Sequence, residues 1–261
     1  MTTDETFDYF IANAVITEVL AVVKSGKEAT VYRCAAHPAS GADSVAVKVY
    51  KDIERRSFRN MEDYLDGRIG HTVRKRRDIL HMLSSSATMQ EYWVEAEYGA
   101  LVALRAAGLP VPRPLGRCPS AVAMEFVGDD DEGAPRLRDS RLDDAVARDV
   151  LEALLDAVER MLAMDTIHGD LSPYNVLMDG DRPVIIDFPQ VVDARYNSKA
   201  AEMLERDLVN VCGYFKRHGL VDENEAAAIA RTLWARYEVN ELYSMADRPR
   251  EAVGFDREYR L

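Results

Sequence analysis

Apolar and polar residues repeat with two different periods along this chain, and the period changes near the middle. In the first half the two-residue period of strands prevails. Val19 to Val23 and Thr30 to Arg33 flank the turn Lys24-Ser25-Gly26-Lys27, which predicts a hairpin. Phe7 to Leu20 predicts a short helix running into a strand. Ser44 to Tyr50 alternates, with Val45, Val47 and Val49 on one side and Ala46, Lys48 and Tyr50 on the other. Residues 51–90 then turn polar and highly charged, and read as an insertion. Helical spacing begins near Glu91 and lasts to Ala107, with Trp93, Ala96, Ala100, Leu101 and Leu104 as the expected apolar face. Gly108 stands where a helix stop is expected, and Pro110 follows it.

Ala121 to Val127 predicts one more strand, and Gly128-Asp129-Asp130-Asp131-Glu132-Gly133 a polar connection. Beyond it the helical period takes over. Leu142 to Ala163 predicts a long helix through Val150, Leu154, Leu155, Val158 and Leu162, and further helices are expected near Ser198 to His218 and Glu223 to Glu238. A short strand, Val184 to Ile186, ends in Asp187. Strands before helices imply an α+β fold. The expected division is a sheet-rich lobe over 1–123, a hinge and connection over 124–135, and a helical lobe over 136–261.

Composition narrows the picture. The chain has 261 residues, 48% of them hydrophobic, enough for a sizeable core and too many for disorder. Its formal net charge of -12 disfavours whole-surface binding to nucleic acid. The basic run Arg74-Lys75-Arg76-Arg77 is a local exception; it has no interleaved aromatic residues for base stacking and reads first as a solvated face. Cys34, Cys118 and Cys212 form no C-x-x-C pair, so they read as ordinary thiols in a reducing compartment. No apolar run approaches the roughly 20 residues that span a bilayer, and the N-terminus lacks the positive start of a signal peptide. The expected setting is the cytoplasm, with no membrane.

Candidate chemistry gathers at five places. His168-Gly169-Asp170-Leu171-Ser172-Pro173-Tyr174-Asn175 carries a carboxylate able to orient an acceptor hydroxyl and, five residues on, an amide oxygen able to bind magnesium. Val184-Ile185-Ile186-Asp187-Phe188 adds a second hard oxygen ligand at a strand end. Val45-Ala46-Val47-Lys48 offers a cation for nucleotide phosphates. That lysine needs an acidic partner; Glu97, four residues before Leu101, is preferred over Glu95, which faces another side of the helix. Ser25, Gly26 and Lys27 make a small turn suited to covering phosphates with open N–H groups. Met124-Glu125-Phe126-Val127 leads into the polar connection and resembles a kinase hinge, a resemblance that implies backbone groups of Glu125 and Val127 as adenine contacts.

Together these motifs resemble the RIO family of atypical serine/threonine protein kinases. The resemblance runs from about Thr17 to Gly219. It includes the Ser25–Tyr32 turn, Ser57-Phe58-Arg59-Asn60 and Asp63-Tyr64 in the insertion, Gly108-Leu109-Pro110-Val111-Pro112-Arg113-Pro114, the His168–Asn175 loop and Ile186-Asp187. It implies a truncated, two-lobed protein-kinase-like fold without a long activation loop, using ATP and Mg2+. It also implies transfer of the γ-phosphate to a Ser/Thr acceptor, to Asp187 itself or to water. Implied partners are ATP, a protein acceptor, and the small ribosomal subunit precursor or its RNA. Pro189-Gln190 stands where protein kinases have Gly after Asp-Phe, and is most similar to bacterial members. Two other readings stay open: a small-molecule phosphotransferase similar to aminoglycoside or choline kinases, and an ATP-sensing scaffold that binds a ribonucleoprotein.

Overall fold

The computed structural model describes residues 1–51, 86–129 and 132–242. The run Arg74–Arg77, the rest of 52–85 and the tail from 243 lie outside the described residues. The chain forms two compact units. One comprises Met1–Ala134 with Ile186–Gln190, the other Pro135–Ile185 with Val191–Leu261. Residues 186–190, Asp187 among them, thus belong with the sheet-bearing unit, although they follow the helical segment in sequence.

The first unit contains α1 (Thr3–Ala12), β1 (Ile16–Ser25), β2 (Ala29–Ala36), β3 (Ser44–Tyr50), α2 (Ser86–Ala106), β4 (Pro114–Cys118) and β5 (Ala121–Glu125). Its strands pair antiparallel in the order β1-β2-β3-β5-β4. The expected hairpin is β1–β2, with Ser25 opposite Thr30. β3 is central and buried on both faces, which explains its run of Val and Ala. Val45, Val47 and Val49 join Phe10, Val15, Ile16 and Cys34 in one core. The opposite face of the strand is left for Lys48 and Tyr50. A capping box between Thr2 and Glu5 starts α1, and Phe10 anchors it in the core.

Helix α2 shows where the apolar pattern misled. Its buried line runs through Gln90, Val94, Glu97, Leu101 and Leu104, while Trp93, Ala96 and Ala100 are only half-buried. Two polar residues occupy the inward line, so the apolar signal was displaced by one position. Gly108, at φ 74°, ends this helix as expected, with the Leu109 N–H returning to the Leu104 carbonyl. β5 stops at Glu125, two residues short of the expected Val127.

The second unit contains α3 (Asp144–Ala163), β6 (Thr166–Ile167), β7 (Val176–Asp179), β8 (Arg182–Ile185), β9 (Val192–Asp193), α4 (Ala200–Cys212) and α5 (Glu223–Glu238). Asp143 caps α3, whose buried stripe includes Val150, Leu154, Val158 and Leu162. β6 pairs with β9, and β7 with β8, so the His168–Asn175 loop is held at both ends by strands. α4 ends at Cys212, and Phe215–His218 forms a separate 3₁₀ turn where one continuous helix was expected. α5 has the predicted bounds and opens on a capping box between Asp222 and Glu225.

The helices and the mainly antiparallel sheet give the α+β class. Among the described residues, no helix is long and apolar enough to cross a membrane. All three cysteines are buried and free. Burial pushes the Cys34 and Cys212 thiols up to about 12, which keeps them protonated and poorly nucleophilic.

Candidate functional site

In the first unit, β3 and α2 bring a lysine and a glutamate together in a buried place. Lys48 Nζ donates to Glu97 Oε1 at 2.7 Å and to Asp187 Oδ1 at 2.5 Å. Tyr50, two residues along the strand and so on the same face, donates its hydroxyl to Glu97 Oε2. The Phe188 N–H approaches Glu97 Oε1 at 3.3 Å, and Gln90 Nε2 holds the Tyr50 carbonyl. Glu97 is 1% exposed, yet both its oxygens have partners. Glu95 faces outward and pairs with Arg117 at 2.7 Å.

Burial alone would lower the Lys48 pKa. The charges of Glu97 and Asp187 outweigh it, so the ammonium is held well above its ordinary value. Burial and the Glu97 carboxylate push the Tyr50 phenol up as well, so it stays a neutral donor.

Asp187 is less enclosed, with 41% of its side chain exposed. Its φ is 74°, a left-handed conformation that Asp tolerates better than most residues and that costs about 1–3 kcal/mol at a constrained site. The backbone at this step therefore aims the carboxylate at Lys48.

The phosphate-turn candidates lie at the β1–β2 hairpin. Ser25, Gly26 and Lys27 are exposed. The Gly26 N–H, expected to be open, instead donates to the Ala29 carbonyl at 2.9 Å. Lys51, which the sequence reading passed over, reaches the same turn: its Nζ donates to Ser25 Oγ at 3.0 Å and to the Gly26 carbonyl at 2.7 Å. At the end of β5, the Glu125 N–H goes to the Arg113 carbonyl, and the Val127 carbonyl accepts from Ala134. One backbone group each of Glu125 and Val127, the expected adenine-contacting residues, is thus already engaged.

The second unit carries the other candidates. Asn175 Nδ2 donates to the Asp170 carbonyl at 2.9 Å and to Asp170 Oδ2 at 3.3 Å. Both partners are acceptors, so the amide nitrogen must face them, and its oxygen is the atom left for a hard cation. Asp170 is exposed and Asn175 buried. Asn175 in the second unit and Asp187 in the first each carry an oxygen donor of the kind magnesium takes, and the Lys48 ammonium is a group of the kind that attracts phosphates.

Asp207 is a further member of this loop assembly that sequence reasoning missed. Its Oδ2 accepts the Gly169 N–H at 2.7 Å, and neighbouring Arg206 donates to the Gly169 carbonyl. α4 thus grips Gly169, which sits at φ 81°, by both backbone groups, one residue before Asp170. The available signal was a carboxylate in the apolar stripe Leu204, Leu208, Val211 of α4.

Burial raises the Asp207 carboxyl to about 7, against the opposing pull of the Gly169 and Leu171 N–H groups and Arg206. Its Oδ1 is buried without a hydrogen-bond partner among the described residues, with the Arg206 guanidinium 3.7 Å away. Unfolded, the group ionises near 3.8. Between that value and about 7 the folded chain holds a proton that the unfolded chain has released. Stability therefore declines as pH rises through this window, at up to about 1.4 kcal/mol per pH unit. Asp207→Asn should flatten urea-derived stability between pH 5 and 7, and should keep more turnover than Asp207→Leu because its amide oxygen still accepts from Gly169. An unchanged slope in Asp207→Asn would remove Asp207 as its source.

The family model for the RIO domain matches residues 30–228. The chain is 34% identical over 183 residues to the RIO-type serine/threonine-protein kinase Rio1 of Thermoplasma acidophilum, covering 69% of this chain and 89% of that protein. It is 32% identical over 204 residues to the protein of the same name from Haloferax volcanii, covering 76% and 63%. It is 32% identical over 213 residues to the human serine/threonine-protein kinase RIO1, covering 80% of this chain but 35% of the human protein.

Proposed function

Because the chain belongs to the RIO kinase family, we propose that it is a Mg-ATP-dependent kinase that passes the γ-phosphate to a serine or threonine of a protein acceptor, with water and Asp187 as further acceptors. The observation that carries this reading is the buried Lys48, kept charged between Glu97 and Asp187. A lysine so costly to bury is retained where a fixed positive charge has work to do on an anion.

In this reading Lys48 neutralises nucleotide phosphates and Glu97 holds it in place. Ser25, Gly26 and Lys27 cover the phosphates, and Glu125 and Val127 contact adenine through their remaining backbone groups. Asn175 and Asp187 hold magnesium, which offsets the charge that develops on the phosphate oxygens. Asp170 orients the acceptor hydroxyl and takes its proton as the new oxygen–phosphorus bond forms and the bond to the departing ADP breaks. The setting we infer is the cytoplasm. The inferred partners are ATP, the protein acceptor, and the small ribosomal subunit precursor or its RNA, with the reaction serving as a switch in that subunit's maturation.

The test is ATP turnover by the pure protein with magnesium, alone and with candidate acceptors. Turnover with label on protein supports the kinase. Strong stimulation by an aminoglycoside or choline, without protein labelling, would replace it with a small-molecule phosphotransferase. Asn175→Ala should raise the magnesium concentration for half-maximal turnover about tenfold or more, as expected for loss of one ligand of a weakly held ion. An unaltered magnesium dependence would take Asn175 out of the metal site.

A further inference from the structure

Helices α4 and α5 leave a groove of about 650 Å³ along their shared face. That is room for several side chains of a docked segment. Its floor is small and apolar, with Ala201 and Val209 from α4 and Ala230 and Ala235 from α5. Trp234 lines it too, half-buried, with its indole N–H given to Glu238 at 2.8 Å. A partly exposed tryptophan in an apolar groove is the type of residue that anchors protein interfaces.

The charges around the groove are not equally available. Arg231 is paired with Glu205 at 3.2 Å, and Arg206 is turned to the Gly169 carbonyl and to Asp207. Glu202 is exposed, and Glu238 meets only the neutral indole within the groove. Glu202, Glu205 and Glu238 outnumber Arg206 and Arg231 along the groove, so the charge left to meet a ligand is negative. We propose that this groove docks a basic, amphipathic segment of a partner protein, its apolar side chains on the alanine floor and Trp234, its Lys or Arg residues on Glu202 and Glu238. Arg206 lines the groove as well, so the docked segment lies one side chain from the loop that carries Asp170.

Docking is measured without nucleotide, so its outcome is independent of the phosphoryl-transfer reading. The probe is a fluorescein-labelled peptide of leucine and lysine at helical spacing; its counterpart has glutamate for lysine. Anisotropy should show the lysine peptide bound at least tenfold more tightly. A chain with net charge -12 attracts any cation, so variants must separate the groove from that background. Ala235→Trp and Ala201→Trp fill the floor from exposed positions, and each should weaken the lysine peptide at least tenfold while thermal melting stays unchanged. Glu202→Lys with Glu238→Lys should reverse the preference between the two peptides. Equal binding to wild type and to the filled variants would overturn the proposal, as would a lysine preference that survives charge reversal, or no binding at all.

Discussion

Glu97→Ala should lower ATP turnover at least about a hundredfold and reduce folding stability by about 3 kcal/mol or more, the scale for removing one partner from a buried, hydrogen-bonded charge. The stability loss has several sources. Lys48 would keep only Asp187, which is partly solvated. The Tyr50 hydroxyl and the Phe188 N–H would lose their acceptor in a place largely closed to water. Each orphaned polar group costs about 1–3 kcal/mol. The turnover loss arises separately, because an unanchored Lys48 no longer holds its ammonium at one point. Lys48→Met separates the two effects. It should remove turnover as completely, yet cost less stability, because Glu97 keeps Tyr50 and Phe188 as donors. The double variant Lys48→Met with Glu97→Gln leaves no unpaired buried charge and should be more stable than Glu97→Ala alone, a coupling that a double-mutant cycle by urea denaturation reads directly. Near-wild-type stability and turnover in Glu97→Ala would dissolve the network as a functional unit.

The same network marks the limit of what periodicity can reveal. The Lys48 face of β3 was legible because a two-residue period leaves no freedom about which side a residue takes. The Glu97 face of α2 was not, because Gln90 and Glu97 stand on its buried line and make it look polar. Glu97 was still found, through its spacing to Leu101. Tyr50 and Lys51 were missed for a different reason: their bonds go to Glu97, 47 residues away, and to Ser25, 26 residues back, and no local pattern encodes such partners. Asp207 was legible in principle as a carboxylate in an apolar stripe. β4 was not, since Pro114 and Gly116 weaken any strand signal and the strand exists by pairing with β5. The helix ends fared according to their chemistry. α5 opens on a capping box and its bounds were read correctly, whereas the break between Cys212 and Phe215 has no proline and only Gly213, whose φ of -55° is helical.

Asp187→Asn should abolish a covalent phosphoenzyme and lower ATP turnover about a thousandfold, the scale for losing a nucleophile and metal ligand together. Asn is the informative replacement because it tolerates the φ of 74° that the position requires, so the loss reports the carboxylate and not the backbone. In the proposed step an Asp187 oxygen forms a bond to the γ-phosphorus as the bond to the ADP oxygen breaks, giving ADP and an aspartyl phosphate; water then hydrolyses the acyl phosphate and restores the carboxylate. The geometry sets a condition on this. With Lys48 at 2.5 Å from Oδ1, the carboxylate is engaged in an ion pair and is a weak nucleophile. Nucleotide phosphates that draw Lys48 toward themselves would release it, so labelling should require Lys48 as well as Asp187. The experiment is incubation with γ-labelled ATP and magnesium, denaturation, then treatment with hydroxylamine, which cleaves an acyl phosphate and leaves phosphoserine and phosphothreonine intact. Wild type should carry label that hydroxylamine releases; Asp187→Asn and Lys48→Met should carry none of that labile label. Absence of labile label in wild type, or labile label that persists in Asp187→Asn, would exclude Asp187 as the phosphate carrier and leave only transfer to a hydroxyl or to water.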